Sequence, residues 1–324
     1  MENQIITDEY AIYLNDCMNI LPQIPDKSID LSIYSPPFAG LYNYSSSHLD
    51  FSNCETKEQF LEQYDFLIAE ISRVTKSGRI TAVHCQDIIL NTTAHTLWDF
   101  PNEIIKLHLK HGFTYNNRIT IWKEPLEVRT RTMVNSLKHI QLVEDSTKVY
   151  TANPDYVLIF RKGGENLIPV THPTGLTEYA GAYPLLPFMI EKYGSFQHLI
   201  EKYKGWQEHK TNKLAHVIWQ RYASSVWDDI RGSNVLEFKP SKEEDDEKHV
   251  HPLQLDIINR LTTLYSNFGE TILTPFMGVG SEVYEPVRLG RKAIGIELKE
   301  SYFKQAIENL KEIKVLKVEQ KKLF

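Results

Sequence analysis

A short apolar strand running into a glycine-rich turn, a helix and a second strand ending in a carboxylate constrains this chain more than any other feature. Residues 271–276 (TILTPF) read as the strand, Gly278-Val279-Gly280 as the turn, 281–290 as the helix, and 292–298 (KAIGIEL) as the strand carrying Glu297. A glycine turn at this junction lets the backbone approach a ligand closely and presents free N–H groups at the helix start. A carboxylate at the end of the next strand can accept from both hydroxyls of a ribose, although it can equally cap the following helix. Turn and carboxylate together match the first βαβ unit of a nucleotide-binding sheet.

The first 160 residues extend this pattern. Strands are expected at 10–14, 30–35, 79–85, 118–122 and 155–160, with helices over 60–76, stopping at Ser77-Gly78, and over 100–112. Such alternation predicts a mostly parallel sheet covered by helices. From 163 to 248 it breaks down into prolines, scattered aromatics and the charge run 242–248, then returns with a helix over 251–269 and a last helix near Ser301. The expected organisation is two catalytic parts, 1–162 and 249–324, flanking an irregular insertion over 163–248 that lies outside the sheet.

Cys17, Cys54 and Cys85 show neither disulfide-like nor metal-like spacing, and no metal is expected. With no secretory pattern at the N-terminus and no bilayer-length apolar run, a reducing cytoplasm is the expected setting. A formal net charge of -6 argues weakly against a polyanionic partner. Between Lys110 and Lys162, however, nine cations stand against five acids, which reads either as a solvated face or as a phosphate-tracking stretch. His84 and Cys85 lie on a buried-looking strand and read as core.

Two further segments can carry chemistry. Ser35-Pro36-Pro37-Phe38 follows the strand at 30–35, where two prolines fix the backbone and hold a hydroxyl, a carbonyl and an aromatic ring in place. Open α/β sheets keep their sites at that edge, though a Pro-Pro loop with a core phenylalanine gives the same letters. Asn15-Asp16-Cys17 follows the strand at 10–14; an acid there can accept from an adenine amino group or cap a helix.

SPPF after an apolar strand, with HPLQLDIINRL, ILTPFMGVGS and AIGIEL far downstream, resembles the DNA amino-methyltransferases that make N4-methylcytosine or N6-methyladenine, in their permuted β arrangement. The resemblance covers about 10–160 and 250–310. It implies an α/β fold with a Rossmann-like, mostly parallel, seven-stranded methyltransferase sheet and an inserted target-recognition region. It implies S-adenosylmethionine as cofactor, S-adenosylhomocysteine as product, and double-stranded DNA as partner. A homodimer and a cognate restriction or host-defence system are compatible with it. Phe276, Gly278, Gly280 and Ser281, with His251 and Pro252, would then surround the methionine end of the cofactor; Glu297 would bind its ribose, and Asp16 with Cys17 its adenine. The family usually has Asp where this chain has Thr274, and His-Pro-x-x-Lys-Pro where this chain has Leu255-Asp256.

By the same resemblance, Ser35 Oγ and the Pro36 carbonyl would accept from an exocyclic amino group, freeing its conjugated lone pair, while Phe38 stacks on a flipped base. Arg118, Lys123, Arg129, Arg131 and Lys138 would contact phosphates, and Trp206, Lys210, Lys213 and Arg221 of the insertion would read DNA. Ser before Pro-Pro favours cytosine N4 over adenine N6. The rival readings are a dehydrogenase, whose glycine fingerprint would open the chain, the same fold acting on RNA or a protein glutamine, and a DNA-binding decoy that no longer catalyses.

Overall fold

The computed structural model describes residues 3–37, 56–91, 96–132, 134–242 and 252–313. Phe38 and His251 therefore lie outside the described residues, as do Cys54 and most of the acidic run at 242–248. The described strands are β1 (Gln4–Ile6), β2 (Tyr10–Leu14), β3 (Ile29–Tyr34), β4 (Thr75–Cys85), β5 (Ile88–Asn91), β6 (Thr96–Trp98), β7 (Phe113–Ile121), β8 (Asp155–Lys162), β9 (Val226–Trp227), β10 (Thr271–Thr274) and β11 (Lys292–Glu297). The helices are α1 (Cys17–Ile20), α2 (Lys57–Val74), α3 (Phe100–Lys110), α4 (Pro125–Thr132), α5 (His139–Glu144), α6 (Pro187–Tyr193), α7 (Phe196–Tyr203), α8 (Lys213–Tyr222), α9 (Leu255–Tyr265), α10 (Ser281–Arg288) and α11 (Glu300–Lys311).

Nine strands form one sheet in the order β1-β2-β11-β10-β3-β4-β8-β7-β9, and β5-β6 make a separate hairpin. β2, β11, β10, β3 and β4 run parallel. β8 is antiparallel to β4 and to β7, so β7 points the same way as the central strands. The fold is the mostly parallel methyltransferase-type sheet expected, with two short strands, β1 and β9, extending it beyond seven.

Every residue of β3 is buried, as expected where helices cover both faces of a parallel strand. On one face α2, capped by reciprocal Thr56 and Gln59 bonds, presents Phe60, Tyr64, Leu67, Ile68 and Ile71 to a core shared with α3. On the other, Leu31, Ile33 and Ile159 pack with Ile257 and Leu261 of α9. The α2 stop differs from expectation: the helix ends at Val74, where the Thr75 hydroxyl bonds Ile71 O at 2.6 Å. The chain passes straight into β4, whose register against β3 shifts between Thr75 and Ile80. Gly78 therefore lies within a bulged strand rather than at a helix end.

The insertion is not wholly outside the sheet. β9 pairs parallel with β7, and Trp227 is buried in the core beside Ile119 and Ile121. Arg260 of α9, fully buried, reaches across to Asp229 at 2.7 Å and lies 4.8 Å from the Trp227 ring centroid. The rest of the insertion, α6 to α8, has its own apolar cluster around Leu199, Leu214 and Ile218. Among the described residues no helix is long and apolar enough to cross a membrane.

Candidate active site at the carboxyl edge of the sheet

Strand direction and register bring the separated motifs together. Ile272 and Leu273 of β10 pair with Leu31 and Ser32 of β3, so the turn after β10 and the Ser35-Pro36-Pro37 segment leave the same edge side by side. The Tyr34 and Phe276 rings meet edge to face with centroids 6.1 Å apart. Glu297 pairs with Leu14 across β11 and β2, and Asn15 N donates to Glu297 O at 2.9 Å, which sets Asp16 beside the Glu297 strand end. The expected nucleotide-binding and catalytic segments thus share one edge.

The glycine turn is shaped from within. The Glu297 carboxylate accepts from Gly278 N at 2.7 Å and from Lys299 N at 2.8 Å, closing the turn against the end of β11. Gly278 has φ +54, and a Cβ there would meet nothing within 4 Å, so this position borders open space. Gly280 is different. At φ +98 it caps α10, and a Cβ would lie 3.3 Å from Ala306 of α11, so the absence of a side chain here serves close helix packing. Beneath the turn, Gly295 of β11 lets Met277 and Val283 approach the strand.

Buried hydroxyls without partners cluster here. Ser281 Oγ and Thr274 Oγ1 are both buried and make no hydrogen bond, an arrangement that native interiors usually complete with a polar ligand or water. Glu282, next in α10, is buried as well. Its carboxyl is raised to about 8 by burial and by the nearby Glu297.

Asp16 forms the helix cap that its position also allowed: its carboxylate accepts from Met18 N at 2.9 Å. Cys17 corrects the expectation of a cofactor contact through its side chain. It is buried in the apolar core, and burial, reinforced by Asp16, pushes its thiol well above the usual range. Pro252 leads into α9, and Asp256, where the resembled family has the second proline, is buried and accepts from Arg231 Nε at 2.9 Å and Asn234 Nδ2 at 2.8 Å. That carboxylate holds the 231–234 loop.

Ser35 is not a bare acceptor. Its Oγ lies 2.9 Å from His84 Nδ1 and 3.1 Å from His84 O. The contact follows from register, because Tyr34 pairs with Val83. His84 Nε2 lies 3.3 Å from Asp155 Oδ2, out of ideal hydrogen-bond alignment, and Lys123 Nζ donates to Asp155 Oδ1 at 2.6 Å. Burial alone would raise the Asp155 carboxyl, but Lys123 and His84 outweigh it and hold it below the usual range. His84, read from sequence as core, is therefore part of the site. Cys85, beside it, is core, with its thiol raised by burial.

The basic stretch does not form one patch. Lys162 pairs with Phe113 at the far end of β7, so Lys110, Arg161 and Lys162 lie away from Ser35. Lys110 also pairs with Asp65 at 2.6 Å. Lys123 is engaged by Asp155, and Arg118 lies 4.8 Å over the Tyr156 ring. Arg129, Arg131 and Lys138 follow β7 on the site's side, with Arg131 paired to Glu127. In the insertion Lys210 is exposed, Lys213 half-buried and Trp206 44% exposed. Arg221 is a correction: it is buried and paired with Asp228 at 2.6 Å and Asp229 at 3.3 Å, so it braces the fold and cannot reach DNA. Among the described residues no cluster of His, Cys, Asp and Glu could hold a metal ion.

The sequence matches the family model described as DNA methylase over residues 29–308. It is 21% identical over 296 residues to the Type II methyltransferase M1.MboII of Moraxella bovis, covering 91% of this chain and 94% of that one. The DNA adenine methyltransferase YhdJ of Escherichia coli strain K12 is 24% identical, over 93% of this chain and 82% of its own. Two solved structures share the fold. One is TTHA0409 of Thermus thermophilus, described as a candidate DNA modification methylase and complexed with S-adenosyl-L-methionine. Its TM-score is 0.58 at 20% identity, covering 93% of this chain and 94% of that one. The other is the PvuII DNA methyltransferase, cytosine-N4-specific, with TM-score 0.59 at 14% identity, covering 92% and 85%.

Proposed function

The chain belongs to the DNA methylase family, and from that premise we propose that it transfers a methyl group from S-adenosylmethionine to the exocyclic amino nitrogen of a flipped base in double-stranded DNA, N4 of cytosine. The observation that carries this reading is the meeting of Ser35-Pro36-Pro37 with the glycine turn at one sheet edge, imposed by the parallel β3–β10 pairing.

The residues fit the cofactor. Ser281 Oγ and Thr274 Oγ1 are buried hydroxyls in want of partners, and the space beside Gly278 is open. Phe276, Gly278 and Ser281, with Pro252 and His251, would hold the methionine end; Glu297 and Asp16 would hold the nucleoside. Bound there, S-adenosylmethionine supplies an electrophilic methyl carbon on a sulfonium.

The protein's task is then to make a poor nucleophile attack. Ser35 Oγ and the Pro36 carbonyl accept from the two amino hydrogens, which favours a tetrahedral nitrogen whose lone pair is free. Holding nitrogen and methyl in line contributes much of the acceleration. Phe38 supplies a stacking face worth roughly 1–3 kcal/mol to the flipped base. Arg129, Arg131 and Lys138 track phosphates, and the exposed side of the insertion, with Trp206, Lys210 and Lys213, reads the duplex. A cognate restriction activity is the natural partner system.

Serine before Pro-Pro is what favours cytosine. Digestion of methylated DNA to nucleosides, followed by mass spectrometry, tests it. N4-methyldeoxycytidine is the expected product, and N6-methyldeoxyadenosine alone would overturn the choice of base.

A further inference from the structure

We propose that His84, oriented by Asp155, is the positioning residue for the Ser35 hydroxyl and receives, through Ser35, the proton that methyl transfer releases. The inference rests on the reading above and adds two residues to its chemistry.

Ser35 has one hydroxyl proton and two acceptors in reach, His84 Nδ1 at 2.9 Å and His84 O at 3.1 Å. Which ring nitrogen of His84 carries its proton decides between them. Asp155 settles that. Its side chain is 9% exposed, it is held anionic by Lys123, and its Oδ2 stands 3.3 Å from Nε2. A carboxylate at that distance favours N–H over a lone pair on Nε2. Nδ1 then bears the lone pair and accepts from Ser35, leaving both oxygen lone pairs of Ser35 to face the target amino group. Without the His84 imidazole only the backbone carbonyl of residue 84, 3.1 Å away, holds the hydroxyl proton back from the base, where it would repel the amino hydrogens.

The same chain balances the proton. A primary amine attacking carbon becomes cationic and must lose a hydrogen. As nitrogen forms its bond to the methyl carbon, the carbon–sulfur bond breaks with its electron pair left on sulfur. One amino proton passes to Ser35 Oγ while the Ser35 hydroxyl proton passes to His84 Nδ1. The resulting imidazolium faces the Asp155 carboxylate, and its extra proton is returned to solvent before the next turnover. The logic is that of a hydrolase triad, with the serine oxygen accepting a proton instead of attacking carbon.

The elements around His84 account for the arrangement. Tyr34↔Val83 pairing sets Ser35 beside it, and the antiparallel β4–β8 ladder, with His84 opposite Val157, brings in Asp155 from the start of β8. Lys123, just past β7, completes the row and also reaches Gln86 Oε1 at 3.4 Å.

Two measurements test the proposal. Nitrogen-15 NMR of the imidazoles in the intact protein, with the His84 signal assigned by its loss in His84→Asn, should show Nε2 protonated and Nδ1 unprotonated; the opposite tautomer overturns it. Single-turnover transfer of a labelled methyl group to DNA should fall about 100-fold or more in His84→Ala, with S-adenosylmethionine and DNA dissociation constants within about twofold of wild type. His84→Asn, which offers an oxygen near the Nδ1 position but no base, should stay slow. Transfer by His84→Ala or His84→Asn within about threefold of wild type overturns the proton route. A wild-type protein that methylates no DNA would instead refute the proposed function, and the tautomer alone would then decide whether the Ser35–His84–Asp155 chain exists.

Discussion

Replacing Gly295 by alanine separates the packing that shapes the glycine turn from contact with whatever binds there. A Cβ at Gly295 would lie 2.5 Å from Met277 Sδ and 2.6 Å from Val283 Cγ2. Both side chains are buried, Met277 at 1% and Val283 at 0% exposure. Val283 is β-branched in a helix and has little rotamer freedom, so α10 itself has to move. Overpacking of this kind costs about 1–3 kcal/mol, and a chain of this size loses roughly 2 °C of Tm per kcal/mol. Gly295→Ala should therefore melt about 2–6 °C below wild type. It should also bind S-adenosylmethionine more weakly, because Met277 and α10 carry the turn. Gly278 has the opposite balance. Nothing crowds a Cβ there, so alanine costs only the strain of its left-handed backbone, about 1–2 kcal/mol, whereas valine projects into the open space and should abolish binding. Thermal unfolding with and without cofactor, beside calorimetric titration, reads both effects. A Gly295→Ala protein with wild-type Tm and affinity would refute the claim that packing beneath the turn sets its shape.

Glu282 gives a pH signature. Its folded carboxyl, raised from 4.5 to about 8, keeps a proton that the unfolded chain releases, so stability is full below the ordinary value and falls as pH rises through about 8. Glu282→Gln should flatten that decline in urea midpoints, and equal slopes in both proteins would contradict the assignment. Asp229→Ala takes from buried Arg260 its carboxylate partner, while Arg221 keeps Asp228, and should cost about 3–5 kcal/mol; a loss under about 1 kcal/mol in denaturant titration would show that the cluster is not a brace. Exchanging Arg129, Arg131 and Lys138 together for glutamine should lower the salt slope of DNA binding by about 2–3, and an unchanged slope would remove them from the phosphate path.

The longer strands and helices of the catalytic parts were legible because each shows its period, whereas short ones such as β1, β5, β6 and α1 do not. β9 was not: two residues, Val226 and Trp227, carry no alternation, and only pairing with β7 reveals them. Arg221 looked like a surface cation by residue type. Its position on the buried face of α8 with Leu214, Val217 and Ile218 is what helical spacing would have shown. Ser35, Glu297 and the glycine turn announced themselves through motifs, but their meeting depends on sheet order, which sequence spacing does not contain. His84 was hidden by its strand, whose neighbours Val83 and Cys85 are fully buried. Asp155 was hidden at the start of DYVLIF. Both become visible once β4 is known to lie between β3 and β8.

The central claim is that Ser35 acts on the amino group in the transition state and not in binding. Transfer of a labelled methyl group from S-adenosylmethionine to DNA, measured in a single turnover for wild type and Ser35→Ala, tests it most directly. Losing one placed transition-state contact typically lowers the rate about 100- to 1000-fold, and here cofactor and DNA affinities should stay nearly unchanged. A Ser35→Ala protein that transfers methyl at the wild-type rate would contradict the account.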